Sequence, residues 1–232
     1  MTRIPNKVYM EEIEMVSKDP MEIFKSWFLA AKEEKDNVLP DLLTLATVDS
    51  NGNPRARTLV LRGYDDKGFK IYTDGRSMKA RELENNPHVS IVFVWSFRDD
   101  QKNLGNKQIR VEGIMERLPL TEEIAYFNEE PLSAQIRAAV CIQSRVTDDR
   151  EKLQEQSQKL LDRVRVEGYR IDKPDHFQGY RLLPNTIEFY KGTRHTVNDR
   201  LRFRLEMDVN PGQLPLGTYL GDKGWVYERL EP

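Results

Sequence analysis

The 232-residue chain has one cysteine, Cys141. No internal disulfide can form, and a reducing compartment fits it better than an oxidising one. No apolar run approaches the length of a membrane span. The opening stretch MTRIPNKVYMEEIEM lacks the apolar centre of a signal peptide and is too acidic for a typical transit peptide. Neither sign of charge dominates: 36 Lys and Arg stand against 38 Asp and Glu, a net charge of −2. That balance offers no basic face to nucleic acid and no basic block to an anionic membrane. There is no GxGxxG between a strand and a helix, no GxxxxGK[ST], no GxSxG and no kinase signature. The three histidines, His88, His176 and His195, are scattered and give no zinc spacing, so no metal is expected. These absences describe a cytoplasmic protein without the common nucleotide, zinc or serine-nucleophile motifs.

What is present is patterned. Residues 1–18 have no clean period and read as an N-terminal arm. Asp19 (N-cap), Pro20 (first helical position) and Glu22 (capping box) start a helix whose Ile23, Phe24, Trp27, Phe28 and Ala31 share one face. Strands follow at 42–48, 55–65 and 69–74, the first two joined through Asn51-Gly52, a strong hairpin signal. A short helix over 77–86 stops at Pro87. HVSIVFVWSF (88–97) reads as a central strand buried on both faces. The polar stretch 98–107 shows no core content, and 108–118 alternates again. Helices are expected at 121–130, 132–141 and 148–167, the last a charged structural cover. A strand interrupted by Pro184 spans 176–192. Two more occupy 199–208 and 224–230, joined by a loop rich in proline and glycine. No repeat or long linker divides the chain. Many antiparallel strands with inserted helices predict one α+β domain, a closed or half-closed barrel.

Chemistry-bearing residues gather at strand ends. Arg57 and Thr58 open one strand, Tyr72 and Thr73 close the next, and Ser77 and Lys79 sit in the first turn of a helix. Such a place suits a phosphate, because helix N–H groups, cations and hydroxyls all donate to it. On spacing alone, solvated charges flanking a turn explain these residues better. The adjacent acids Asp99-Asp100 and Glu129-Glu130 read as solvated surface. Trp27, Phe24 and Phe28 read as core, and Cys141 as a buried, inert thiol.

Over nearly its whole length the chain resembles the pyridoxamine (pyridoxine) 5′-phosphate oxidase family. The resemblance is carried by ATVDSNGNPRARTLVLRGYDDKGFKIYT, SMKARELENNPHVSIVFVW, QIRVEG, QIRAAVCIQS, IEFYKG and NDRLRF, up to the C-terminal WVYERLEP. It implies a split β-barrel over 19–232 with peripheral helices and a C-terminal dimerisation segment. It further implies a homodimer that binds FMN between its subunits and oxidises a vitamin B6 5′-phosphate to pyridoxal 5′-phosphate with dioxygen. The resemblance assigns the cofactor to Arg57, Thr58, Leu59, Val60, Leu61, Arg62, Tyr72, Thr73, Ser77, Lys79, Gln108, Gln143, Ser144, Tyr190 and Arg200. It assigns the substrate to Arg62, Tyr126 and Asn198.

Several positions depart from the family pattern. Its Ser-Arg-Lys reads Ser77-Met78-Lys79 here, with Arg76 as a candidate replacement for the missing cation. Its tryptophan after Glu-Phe is Tyr190, an aromatic of smaller area. At the substrate phosphate, a lysine is replaced by Arg62, an arginine by Glu130 and a serine by Ala134, while Tyr126 is kept. The family's Arg-Leu-His-Asp-Arg reads Thr196-Val197-Asn198-Asp199-Arg200, with Arg194 and His195 just upstream. A close charge pair is worth about 1–4 kcal/mol between the dielectrics of water and a protein surface. Reversing one sign costs about twice that, and a lost hydroxyl about 0.5–1.5 kcal/mol more. Two readings follow from the resemblance: an oxidase of B6 5′-phosphates, or a divergent flavin-binding paralogue with a lost or altered B6 site.

Overall fold

A computed structural model describes residues 9–99, 102–194, 196–206, 212 and 214–232. Its elements run β1 (Tyr9–Met10), α1 (Pro20–Glu33), β2 (Leu42–Val48), β3 (Pro54–Val60), β4 (Gly63–Asp65), β5 (Gly68–Asp74) and α2 (Met78–Asn85). Then come β6 (His88–Arg98), β7 (Leu104–Arg117), α3 (Leu120–Glu129), α4 (Leu132–Val140) and α5 (Arg150–Glu167). The chain ends with β8 (Phe177–Thr193), β9 (Thr196–Val197), β10 (Asp199–Leu205), β11 (Thr218–Leu220) and β12 (Trp225–Leu230). Among the described residues no helix is long and apolar enough to cross a membrane.

Ten strands form one antiparallel sheet, in the order β11-β12-β10-β8-β7-β6-β2-β3, with β5 pairing both β8 and β4. The expected single strand 55–65 is two strands. It leaves β2 after Val60, and the Arg62 N–H donates to the Lys70 carbonyl at 2.9 Å, so that β4 pairs β5 instead. One run of chain thereby links the β3 edge to β5, which pairs the long β8, and gives the half-closed barrel. The break exposes Arg62 beside the sheet corner, where the candidate site lies.

Helix α1 plugs this barrel. The Asp19 carboxylate accepts from the Met21 N–H at 2.9 Å, while its own N–H donates to Ser17 Oγ at 3.0 Å. The Asp19 N–H is thus satisfied by Ser17. Phe24, fully buried, meets Phe69 edge-on at 4.7 Å and Tyr64 at 5.1 Å. Trp27 packs edge-on against Phe189 at 5.3 Å. A second, smaller core of Phe127, Ile136 and Ile171 lies under α3, α4 and α5, and α5 itself buries no residue fully.

Other expectations are revised. Strand β6 is buried on one face only: Val89, Ile91, Phe93 and Trp95 are buried, while Val94 is 61% exposed on the other face. A nearly continuous apolar run thus conceals a two-sided strand. Half of the stretch 98–107, Arg98 and residues 104–107, is ladder, since β6 and β7 stay paired out to Arg98 and Leu104. Strand β8 passes through Pro184 unbroken, because the register slips between Glu112 and Gly113 and leaves Asn185 as the extra residue of a bulge. A Cβ on Gly113 would lie 2.0 Å from the Leu183 carbonyl oxygen, so the bulge needs glycine there. The short β11 lies within the loop read as Pro/Gly-rich, and β1 pairs in parallel with β9.

Candidate functional site

Ser77 caps α2, its hydroxyl accepting from the Ala80 N–H. Around this helix start, Lys79 Nζ donates to Thr73 Oγ1 at 2.8 Å, Gln143 Oε1 at 3.0 Å and Ser77 Oγ at 3.2 Å. The Met78 N–H donates to Ser144 Oγ at 3.2 Å. Thr73, Ser77, Lys79, Gln143 and Ser144, five residues singled out in the sequence, therefore converge from three segments. Burial pushes the Lys79 ammonium below the usual lysine range, and the positive charge of Arg57 adds to this. A dianion brought here would oppose both effects by favouring the charged ammonium.

Asp74 builds this turn, and sequence reasoning missed it. Its carboxylate accepts from the Arg76 N–H and Nε at 2.8 and 3.0 Å, and from the Gln143 N–H at 3.1 Å. Burial raises its pKa, yet the hydrogen bonds from Arg76 and Gln143 and the Arg76 charge override that and hold it at about 2. Arg76 is therefore occupied: Nη2 reaches Asp74 at 2.8 Å and the Cys141 carbonyl at 2.9 Å. The Met78 sulfur accepts from Arg55 at 3.0 Å. Arg57 is steered by another unforeseen acid. Its Nη2 lies 2.9 Å from the buried Glu82 carboxylate. Thr58 and Val60 face out of the barrel, whereas Leu61 joins the core and Leu59 packs against it.

Beside the turn opens a cavity of about 160 Å³, lined by Arg62, Tyr72, Thr73 and Gln143 of the expected set, together with Glu130, Ala134, Arg137 and Cys141. Tyr126 stacks under Tyr72 with ring centres 3.8 Å apart and 7° between planes. Burial and the nearby Glu122 charge push the Tyr72 hydroxyl up to about 12. Burial and the hydrogen bond to Glu130 raise Tyr126 as well. Glu130 is not solvated surface: its side chain is 7% exposed, accepts from Tyr126 Oη at 2.5 Å and lies 3.7 Å from Arg62. Its neighbour Glu129 stays exposed. Cys141 is half-buried and lines the cavity rather than sitting inert in the core.

The remaining candidates lie elsewhere. Gln108, Tyr190 and Arg200 are cross-strand partners on β7, β8 and β10, one row on one face of the sheet. Arg200 is held by Glu188 at 2.8 Å, and Glu188 also accepts from Arg110 at 2.9 Å. Asn198 Nδ2 donates to Tyr190 Oη at 2.5 Å, and both line a second hollow with Ser96 and Arg194. His195 lies outside the described residues. Among the described residues the candidates thus form two half-sets, and neither cavity holds both. The carboxylates Asp74, Glu82 and Glu188 organise them. Glu188 lies opposite Arg110 on β7 and Arg202 on β10, pairings set by the sheet rather than by neighbouring sequence.

Comparison with known proteins places this architecture. Residues 31–167 match the pyridoxamine 5′-phosphate oxidase family, and residues 177–232 match the pyridoxine 5′-phosphate oxidase C-terminal dimerisation region. Pyridoxine/pyridoxamine 5′-phosphate oxidase of Bombyx mori is 36% identical over 95% of this chain and 83% of that protein. Pyridoxine-5′-phosphate oxidase of Bos taurus is 37% identical over 96% of this chain and 82% of its own length. Among solved structures, PhzG of Burkholderia lata, in complex with tetrahydrophenazine-1-carboxylic acid, superposes with a TM-score of 0.78 at 23% identity, covering 97% of this chain and all of that one. That likeness supports the fold. By sequence over nearly its full length, the chain belongs to the pyridoxamine 5′-phosphate oxidase family.

Proposed function

We propose that the protein is an FMN-dependent oxidase converting pyridoxamine or pyridoxine 5′-phosphate to pyridoxal 5′-phosphate, with dioxygen as acceptor. The reading rests on the convergence of Lys79, Thr73, Ser77 and Ser144 at the head of α2. An ammonium, three hydroxyls and a helix start form a donor set that fits the phosphate of FMN. Bound FMN supplies a two-electron acceptor; the protein's part is to bind, orient and shield. Lys79 and the hydroxyls of Thr73, Ser77 and Ser144 hold the phosphate end. The run Arg57–Arg62 forms the wall beside it. The row Gln108, Tyr190 and Arg200 completes the site from a second copy of the chain, across an interface to which residues 177–232 contribute. That arrangement accounts for two half-sets lying apart in one subunit. Arg62, Tyr126 and Asn198 border the substrate.

A second reading, a flavoprotein of the same family with altered substrate preference, is favoured by one observation. Glu130 turns inward and neutralises Arg62 where a phosphate would need cations. One experiment separates the two. The purified protein is expected to carry a flavin spectrum that bleaches when pyridoxamine 5′-phosphate is added without oxygen. A yellow protein that stays yellow supports the second reading. A colourless protein that cannot be loaded with FMN defeats both.

A further inference from the structure

Resting on the oxidase reading above, we propose that Arg137 is the specificity-determining residue that grips the substrate's phosphate monoester. The cavity is lined by two guanidinium groups, Arg62 and Arg137, and two carboxylates, Asp74 and Glu130. Each lining carboxylate already has a guanidinium: Asp74 has Arg76 at 2.8 Å, and Glu130 has Arg62 at 3.7 Å. Arg137 lines the same cavity and forms no ion pair among the described residues. It is therefore the lining cation left over for a ligand.

Its placement is set by α4. Ala134, Arg137, Ala138 and Cys141 recur at i, i+3, i+4 and i+7 and all line the cavity. Ala134 and Ala138, on either side of Arg137, are small, and Arg137 itself is exposed. Arg62 lines the same cavity, and Glu130 already answers its charge. A dianion entering there meets one uncompensated guanidinium on α4, and a planar fork is the group best matched to phosphate oxygens. Arg137 thereby supplies from the second turn of the helix the attraction that Glu130, just ahead of its first turn, removes.

The phosphate could belong to the substrate or to the flavin, because Thr73 and Gln143 line the same cavity. The test separates these sources. The FMN-loaded protein is titrated, by the change in flavin absorbance, with 4-deoxypyridoxine 5′-phosphate, which cannot be oxidised at C4′, and with 4-deoxypyridoxine. The ratio of the two Kd values reports the grip on phosphate. Arg137→Ala is expected to lower this ratio by about 10-fold or more, the worth of a hydrogen bond between charged groups. FMN affinity of the apoprotein is expected to stay unchanged. Arg137→Lys, a second variant should alanine fail to fold, is expected to lower the ratio by less. An unchanged ratio in both variants overturns the proposal. So does a weakened FMN affinity with an unchanged ratio, which would give Arg137 to the flavin, or a wild-type ratio near one. If wild type shows the ratio but oxidises no B6 phosphate, the oxidase reading fails and the role of Arg137 stands.

Discussion

Replacing Glu130 by glutamine tests the electrostatics of the cavity directly. The carboxylate is 7% exposed and lies 3.7 Å from Arg62, an attraction of about 1 kcal/mol at water's dielectric and about 4–5 kcal/mol at an effective constant near 20. The same carboxylate repels an incoming phosphate. At about 6 Å, a dianion and one negative charge repel by about 1.4 kcal/mol even at a dielectric near 80, which is about tenfold in Kd. Glutamine has nearly the same shape, and its Oε1 can still accept from Tyr126 Oη, so the packing under Tyr72 is kept. It also frees the Arg62 guanidinium to face the ligand. Glu130→Gln should therefore tighten 4-deoxypyridoxine 5′-phosphate at least about tenfold in the flavin absorbance titration. The unphosphorylated compound should change little, and the gain should shrink as salt is raised. Equal gains for both compounds, or none for either, would refute the assignment of this cavity to the phosphate.

Three further outcomes are expected. FMN affinity should be full below the lowered pKa of Lys79 and fall as pH rises through it, at a lower pH than an ordinary lysine near about 10.4 would give. Lys79→Arg should move that loss to higher pH, and a loss unmoved in pH would rule out Lys79 as its source. Asp74, held at about 2 against an ordinary 3.8, contributes stability that is present above about pH 4 and lost as pH falls toward 2. Asp74→Asn should flatten that acid limb in thermal melts and weaken FMN binding by loosening Gln143; a limb as steep as wild type would count against it. Phe24→Ala, which empties the centre of the barrel, should cost about 3–5 kcal/mol in denaturant unfolding, and a loss under about 1 kcal/mol would contradict the packing described.

Much of the barrel can be read from the sequence because its signals are local. Asp19-Pro20 and the apolar stripe define α1, and the turn at Asn51-Gly52 returns β2 to β3, as a five-residue loop with Asp49 accepting from the Asn51 and Asn53 N–H groups. What is not legible is long-range. Nothing local to Leu61-Arg62 announces that the strand changes partner there, since the cause is β5 arriving at its side. Pro184 reads as an interruption, yet a bulge opposite Gly113 absorbs it. The one-faced burial of β6 is hidden because Val92 and Val94 on its outer face are themselves apolar. In the candidate site, cations and hydroxyls stand out at strand ends, while the acids that aim them do not. Asp74, Glu82 and Glu130 look like ordinary surface acids until the fold brings the Gln143 N–H, Arg57 and Arg62 against them.

With a ligand in the proposed site, the change of partner at Leu61-Arg62 would tie occupancy to the integrity of the sheet. That corner is fastened by few backbone bonds, among them Leu61 N–H to the Asp41 carbonyl and Arg62 N–H to the Lys70 carbonyl. A molecule seated against Arg62 would brace the corner like a strut. Amide hydrogens at 61 and 62 should then be the first to slow their exchange when the cavity fills, ahead of those in the β6–β7 ladder, which needs no such brace.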